Sequence, residues 1–130
     1  MLPGCAQRCR RGFTLVELLV VLAIVATLLL LSLPRYTQSV VVARERVLVE
    51  NLRTTRDAID KFYADRHRYP ESLDELVERR YLRALPVDPL LDSDKAWRIV
   101  PPPAERQGQV ADLHSTAEGA TLDGKPFGDL

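Results

Sequence analysis

The strongest constraint on what this chain can fold into is an apolar run near its start. From Phe13 to Leu33 every position except Thr14, Glu17, Thr27 and Ser32 is aliphatic, alanine or phenylalanine. As a helix, such a run is about 31 Å long, close to the roughly 30 Å hydrocarbon thickness of a bilayer. It is apolar on every side, so it cannot be the amphipathic face of a small soluble domain; it needs lipid or other apolar helices around it. One carboxylate, Glu17, sits near its start. A charge inside an apolar span costs about 2.5–3.5 kcal/mol at the bilayer centre, so Glu17 calls for a role.

The flanks orient the span. Arg8, Arg10 and Arg11 precede it, and Arg35 is the near basic residue after it. The excess of positive charge places the N-terminus in the cytoplasm and the C-terminal part outside, in a single pass. A secretory signal peptide is the rival reading. It would be cut after the apolar region at small residues, and Leu31-Ser32-Leu33-Pro34 offers a poor site.

Without its first residues and the span, the 130-residue chain retains material for one small domain. Beyond the three leader arginines it has 15 basic and 18 acidic groups, a net charge of −3. That balance does not suggest nucleic-acid binding, which needs a clustered basic face. The cysteines, Cys5 and Cys9, both precede Gly12. A chain cut after Gly12 therefore has none, and its fold needs neither an oxidising nor a reducing compartment. Their CxxxC spacing has no third ligand nearby, and no apolar stretch precedes Leu2-Pro3-Gly4-Cys5 as a lipoprotein signal requires.

Past Pro34, where a bend is expected, the helical pattern resumes. Leu48, Leu52, Thr55, Ile59 and Phe62 follow steps of three and four on one mostly apolar face. Arg46/Glu50, Arg53/Asp57, Arg56/Asp60 and Asp57/Lys61 are candidate i,i+4 ion pairs on the wet side. The helix is expected to run to about Asp65 and to end before Tyr69-Pro70. Ser72-Leu73-Asp74-Glu75 has the form of a capping box, with Glu75 reaching back to the cap residue. A short helix follows, with Leu73, Leu76, Val77 and Leu82 as its apolar contacts. Residues 85–89 form a loop. Trp97–Val100 and Val110–His114 are the strand candidates, read as an antiparallel pair packed on the long helix. From Ser115, with Gly119, Gly124 and Gly128, an ordered or semi-ordered loop is expected. The fold class is α+β, divided as 1–12 leader, 13–33 transmembrane or filament-core helix, 34–66 amphipathic continuation, and 67–130 small globular part.

Gly12-Phe13-Thr14-Leu15-Val16-Glu17, behind a short basic leader and ahead of an apolar helix, resembles the prepilin cleavage and methylation motif of type IV pilins and pseudopilins. Pro34 falls where that family commonly has a helix-bending proline. Tyr63-x5-Tyr69-Pro70, Tyr81-Leu82-x2-Leu85-Pro86-x-Asp88-Pro89 and Trp97 narrow the resemblance to the G-type major pseudopilin of type II secretion, more loosely after Asp88. The resemblance implies cleavage between Gly12 and Phe13 by a prepilin peptidase and methylation of the new amino group on Phe13. It implies polymerisation with copies of itself into a periplasmic filament, with an inner-membrane secretion platform and minor pseudopilins as further partners and lipid as the surrounding before assembly. Glu17, four residues from the cut, is then the assembly residue. Its carboxylate meets the Phe13 amino group of an adjacent subunit and fixes the axial register. A snorkelling interfacial carboxylate is the plainer alternative. The rival functions are a type IV pilin of a surface, motility or DNA-uptake pilus, and a plain single-pass membrane protein with a periplasmic binding domain.

Nothing in the sequence forms a catalytic constellation, and an enzyme is not expected. His67 and His114 are isolated and read as surface or packing residues. Ser115 beside His114 is no triad, since neighbours on a strand point to opposite faces. Trp97 reads as a packing residue, and Asp92-Ser93-Asp94 as a solvated turn. G-type pseudopilins bind calcium in a C-terminal loop. Here Glu118, Asp123 and Asp129 are the carboxylates that stretch offers, Lys125 adds a positive charge, and the paired aspartates of the family are not evident. Calcium takes six to eight oxygens, so a solvated loop is the preferred reading and Glu118, Asp123 and Asp129 are the metal candidates.

Overall fold

The computed structural model describes Gly4 and residues 11–130. Arg8, Arg10, Cys5 and Cys9 lie outside the described residues, so the expectations resting on them do too. The chain divides into two units, Met1–Gln38 and Ser39–Leu130. Its elements run α1 (Leu15–Arg66), α2 (Leu73–Glu78), β1 (Trp97–Val100), β2 (Asp112–Ser115) and a final 3-10 turn (Phe127–Asp129). This is the α+β layout expected: one long helix, one short helix and a two-stranded antiparallel sheet.

In the first unit the large apolar side chains from Phe13 to Leu33 are 47–84% exposed. The polar groups among them turn inward on their own helix. Thr27 Oγ1 donates to the Ala23 carbonyl at 2.8 Å and Ser32 Oγ to Leu28 at 2.9 Å. Those bonds leave the hydroxyls satisfied without water, as a span in hydrocarbon requires. Pro34 lies inside the helix. It has no N–H to donate to the carbonyl four residues back. Just beyond it, Thr37 Oγ1 donates to the Pro34 carbonyl at 3.0 Å.

In the second unit α1 buries Leu48, Leu52, Thr55, Ala58, Ile59 and Phe62. This stripe is the one expected from spacing, with Ala58 added. It packs with Leu76 of α2, Trp97 of β1, Leu113 of β2, Val110 and Phe127 in one core. The helix ends on a left-handed residue, His67 (φ 56°), whose N–H bonds the Tyr63 carbonyl at 2.8 Å. At α2, Ser72 caps as expected, accepting from Glu75 N at 3.3 Å. The Glu75 carboxylate, however, takes the N–H of Glu71 at 2.8 Å and the guanidinium of Arg68, not the N–H of the cap residue. The arginine draws the carboxylate one residue past the capping-box geometry.

Three further expectations are corrected. The second strand is Asp112–Ser115, paired Trp97↔Ser115 through Val100↔Asp112, and does not begin at Val110. The N–H groups of Gln109 and Val110 both go to the Pro70 carbonyl at 3.0 Å, so they are taken before the ladder starts. Secondly, none of the four i,i+4 ion pairs forms among the described residues. Arg56 turns from Asp60 to Asp112, 2.7 Å away on β2. There it also donates to the Leu113 and Leu130 oxygens at 3.0 and 2.7 Å. A half-buried site with three acceptors outcompetes one exposed carboxylate worth a few tenths of a kcal/mol. Thirdly, the stretch after Ser115 is structured. Thr121 and Lys125 exchange N–H bonds, Gly124 N closes a turn on the Thr121 carbonyl at 2.9 Å, and Phe127 is buried.

Gly108 ties the proline-rich loop to the end of α1. Its φ is 114°, and a Cβ there would lie 2.3 Å from the Tyr69 carbonyl oxygen. Gln107 O accepts from Tyr69 N at 2.8 Å in the same crossing. Gly108→Ala is expected to destabilise a soluble fragment beginning at Tyr36 by about 2–4 kcal/mol, the sum of left-handed strain and overpacking. Urea unfolding of the two fragments measures it.

The Arg68 hydrogen bond holds the Glu75 carboxyl below the usual glutamate range against the opposing effect of its burial, and the Glu71 N–H adds to the lowering. A lowered native value contributes stability that is complete above the unfolded pKa, about 4.3, and disappears as pH falls through the native value. Glu75→Gln is therefore expected to destabilise at neutral pH. The gap to the wild-type fragment should shrink steadily below about pH 4. Urea midpoints taken from pH 7 down to pH 2.5 check the sign.

Candidate functional site

The site begins where α1 begins. The apolar pattern starts at Phe13, but the helix starts at Leu15. Thr14 N donates to Glu17 Oε2 at 2.9 Å, and Glu17 N donates to Thr14 Oγ1 at 3.2 Å. This is a reciprocal capping box, satisfying two of the donors that a helix start leaves unpaired. It also sets the acid at the positive end of the helix dipole, where a carboxylate is favoured.

Two consequences follow for the residues singled out in the sequence. Gly12 and Phe13 lie outside the helix, and both are exposed, Phe13 to 84%. A Cβ built on Gly12 would meet nothing within 4 Å, so the peptide bond between them is open to an approaching group. Glu17 is exposed, and one of its oxygens is engaged by its own backbone rather than by a cation. Apolar side chains, Val16, Leu18, Val20 and Val21 among them, surround it together with Phe13.

Thr14 is the residue that the sequence reading passed over. Its signal was present: Thr14-x-x-Glu17 is the same Ser/Thr-x-x-Glu spacing recognised at Ser72–Glu75.

The remaining candidates are dispersed. Glu118, Asp123 and Asp129 are all exposed. The described residues hold no group of three or more His, Cys, Asp or Glu placed to bind a metal ion. The turn that would cradle calcium is closed instead by its own backbone, through Thr121 and Lys125. The residues present do not fit a calcium site. His114 is half-buried, its Nδ1 2.9 Å from the Leu130 oxygen, while Ser115 faces the interior and donates to the buried carboxylate of Asp88. The two point to opposite sides of β2, as strand geometry requires. Asp88 also accepts from Leu90 N at 2.8 Å, so each oxygen of this buried acid has a partner and the group holds a loop. Trp97 packs in the core and donates Nε1–H to the Pro86 carbonyl at 2.8 Å.

A family model described as the prokaryotic N-terminal methylation motif matches residues 7–33. The chain is 34% identical to the competence protein ComGC of Halalkalibacterium halodurans over 71 residues, covering 55% of this chain and 70% of that protein. It is 30% identical to the type II secretion system core protein G of Escherichia coli K12, covering 62% of this chain and 66%, just under two thirds, of that protein. No solved structure matches it.

A calcium site that bound only the folded state would stabilise it by about 2.7 kcal/mol at a hundred times the dissociation constant. That is a rise of several degrees for a domain of this size. The soluble fragment beginning at Tyr36 is expected to melt at the same temperature in millimolar calcium and in chelator. A calcium-dependent rise abolished by Asp123→Ala would contradict this.

Proposed function

The chain belongs to the type IV pilin-like proteins, close to pseudopilin G, and from that premise we propose that it is a structural subunit of the periplasmic pseudopilus of a type II secretion system. A membrane-anchored precursor, a prepilin motif that implies processing by a prepilin peptidase, and polymerisation into a filament come with the family. The finer assignment rests on the loop Tyr81-Leu82-x2-Leu85-Pro86-x-Asp88-Pro89 and on the similarity to a secretion system core protein G. Subunits of this kind are structural, and no catalytic role is assigned to any residue here.

The observation that carries the reading is the geometry at Gly12–Glu17. Cleavage after Gly12 leaves Phe13 as a new amino terminus, to be methylated, immediately ahead of the capped first turn. Residues 1–12 are then the leader, 13–33 the span that becomes the filament core, 34–66 the amphipathic continuation, and 67–130 the globular part. The N-terminus faces the cytoplasm before extraction and the globular part the periplasm. The secretion platform and minor pseudopilins are the partners in assembly.

Glu17 sets the register. Within the single chain its carboxylate accepts from the Thr14 N–H. In the filament it meets the Phe13 amino group of the neighbouring subunit. A pair of opposite charges about 4 Å apart at an intermediate dielectric is worth a few kcal/mol. Only one axial stagger brings the two charges together. A second reading, a subunit of a surface, motility or DNA-uptake pilus, is favoured by the similarity to a competence protein. Loss of exoprotein secretion on deletion, with filaments confined to the periplasm, supports the first reading; sheared surface filaments support the second.

Co-expressed with an active peptidase, the membrane form should have an intact mass lacking residues 1–12 and carrying one methyl group on Phe13. A residue larger than alanine at Gly12 should leave the full-length chain uncut.

Glu17→Leu should insert and be processed normally, since it removes a charge from the span. Its filament yield, counted in sheared or periplasmic fractions at equal expression, should nevertheless collapse. A normal yield would remove Glu17 from assembly.

A further inference from the structure

The helix that carries the cut site has two places to begin, and it uses the later one. Helix caps favour Ser, Thr, Asp, Asn and Gly far above aliphatic residues, with Thr and Gly about equal. Between Arg11 and Leu22 two residues qualify, Gly12 and Thr14. A helix capped by Gly12 would take in Phe13 as its first residue and the Gly12–Phe13 peptide with it. A helix capped by Thr14 leaves that peptide outside.

The observed helix begins at Leu15. Thr14 is its cap twice over. Its carbonyl accepts the first helical N–H, from Leu18 at 3.3 Å, and its Oγ1 accepts from Glu17 N at 3.2 Å. The Glu17 N–H decides between the two starts. Extending the helix to Phe13 would need that N–H on the Phe13 carbonyl, four residues back. It would also put the Val16 N–H on the Gly12 carbonyl. Hydrolysis adds water at that Gly12 carbonyl carbon and breaks the C–N bond, leaving a carboxylate on Gly12 and an amino group on Phe13. In the longer helix the attacked group would be bonded into the first turn. Packing does not hold the segment off the helix: Gly12 and Phe13 are exposed, and a Cβ on Gly12 would meet nothing within 4 Å.

We propose that Thr14 is a positioning residue for cleavage: its hydroxyl fixes the helix start at Leu15 and so keeps the Gly12–Phe13 bond unwound and within reach of a peptidase. This rests on the prepilin reading above and names the residue that presents the bond. The hydrogen bond concerned uses the backbone N–H of residue 17, so Glu17→Leu leaves it in place. The two polar side chains of the motif thus divide the work, Thr14 before the cut and Glu17 after it.

The test uses the full-length precursor in detergent micelles, cut by a purified prepilin peptidase. Thr14→Val keeps the branched shape and removes the acceptor. If it moves part of the substrate into the longer helix, the apparent KM rises in inverse proportion to the fraction left competent. A rise of roughly two- to fivefold is expected with kcat unchanged, the upper figure being the factor for a cap worth about 1 kcal/mol. Thr14→Ser and Thr14→Asn, which restore a capping side chain, should return KM to the wild-type value. In the same micelles, the backbone carbon shifts of Gly12 and Phe13 should become helical in Thr14→Val and stay non-helical in the wild type and in Thr14→Ser. An unchanged KM for Thr14→Val, a loss confined to kcat, a loss that Thr14→Ser does not repair, or a non-helical Phe13 in Thr14→Val overturns the positioning role while the cleavage reading stands. A wild-type chain left uncut after Gly12 overturns the cleavage reading itself.

Discussion

Burial of one stripe of α1 is the constraint on which the Ser39–Leu130 unit depends. Leu48, Leu52, Ile59 and Phe62 are almost completely buried, and every other element contributes its apolar residues to them: Leu76 from α2, Trp97 from β1, Leu113 from β2 and Phe127 from the final turn. Each fully buried aliphatic or aromatic side chain is worth about 1.5–3 kcal/mol. A two-stranded sheet of four-residue strands is marginal alone. It persists here because one face lies on the helix.

The polar contacts then fix what apolar burial leaves loose. Arg56 reaches from α1 to Asp112 and to the Leu113 and Leu130 oxygens, binding the strand and the end of the described chain to the helix with one planar group. Asp88 does the same for the loop before β1, through Ser115 and Leu90. Backbone bonds among Thr121, Gly124 and Lys125 order the C-terminal stretch.

Among its described residues, the Met1–Gln38 unit buries no large side chain. Its apolar side chains from Phe13 to Leu33 need lipid or other apolar helices around them. Its polar groups are arranged for that: hydroxyls bond back one turn, and Glu17 caps the helix through Thr14. An acid that caps its own helix is less costly to hold in an apolar setting than a free one, because one of its oxygens keeps a hydrogen bond. It remains available to a stronger partner.

The sequence by itself determined whatever depends on local periodicity and on neighbours within a few residues. The apolar span, the buried stripe at 48–62, the end of the helix near Tyr69-Pro70, the Ser72 cap, the first strand and the Gly12–Glu17 motif were all legible. Each follows from a spacing of three, four or two, or from a single special residue type. Even the capping box at Thr14 was readable, since its signal is a four-residue spacing. Only the tertiary structure decided the choices among distant partners. Arg56 had Asp60 one turn away and took Asp112, which lies 56 residues along the chain. Val110 had strand propensity and gave its N–H to Pro70. Glu75 had a cap to complete and met Arg68. Glu118, Asp123 and Asp129 shared a sequence neighbourhood but not a site. An exposed i,i+4 pair such as Arg56–Asp60 is worth only a few tenths of a kcal/mol, so the acceptors offered across the fold settle where the guanidinium goes.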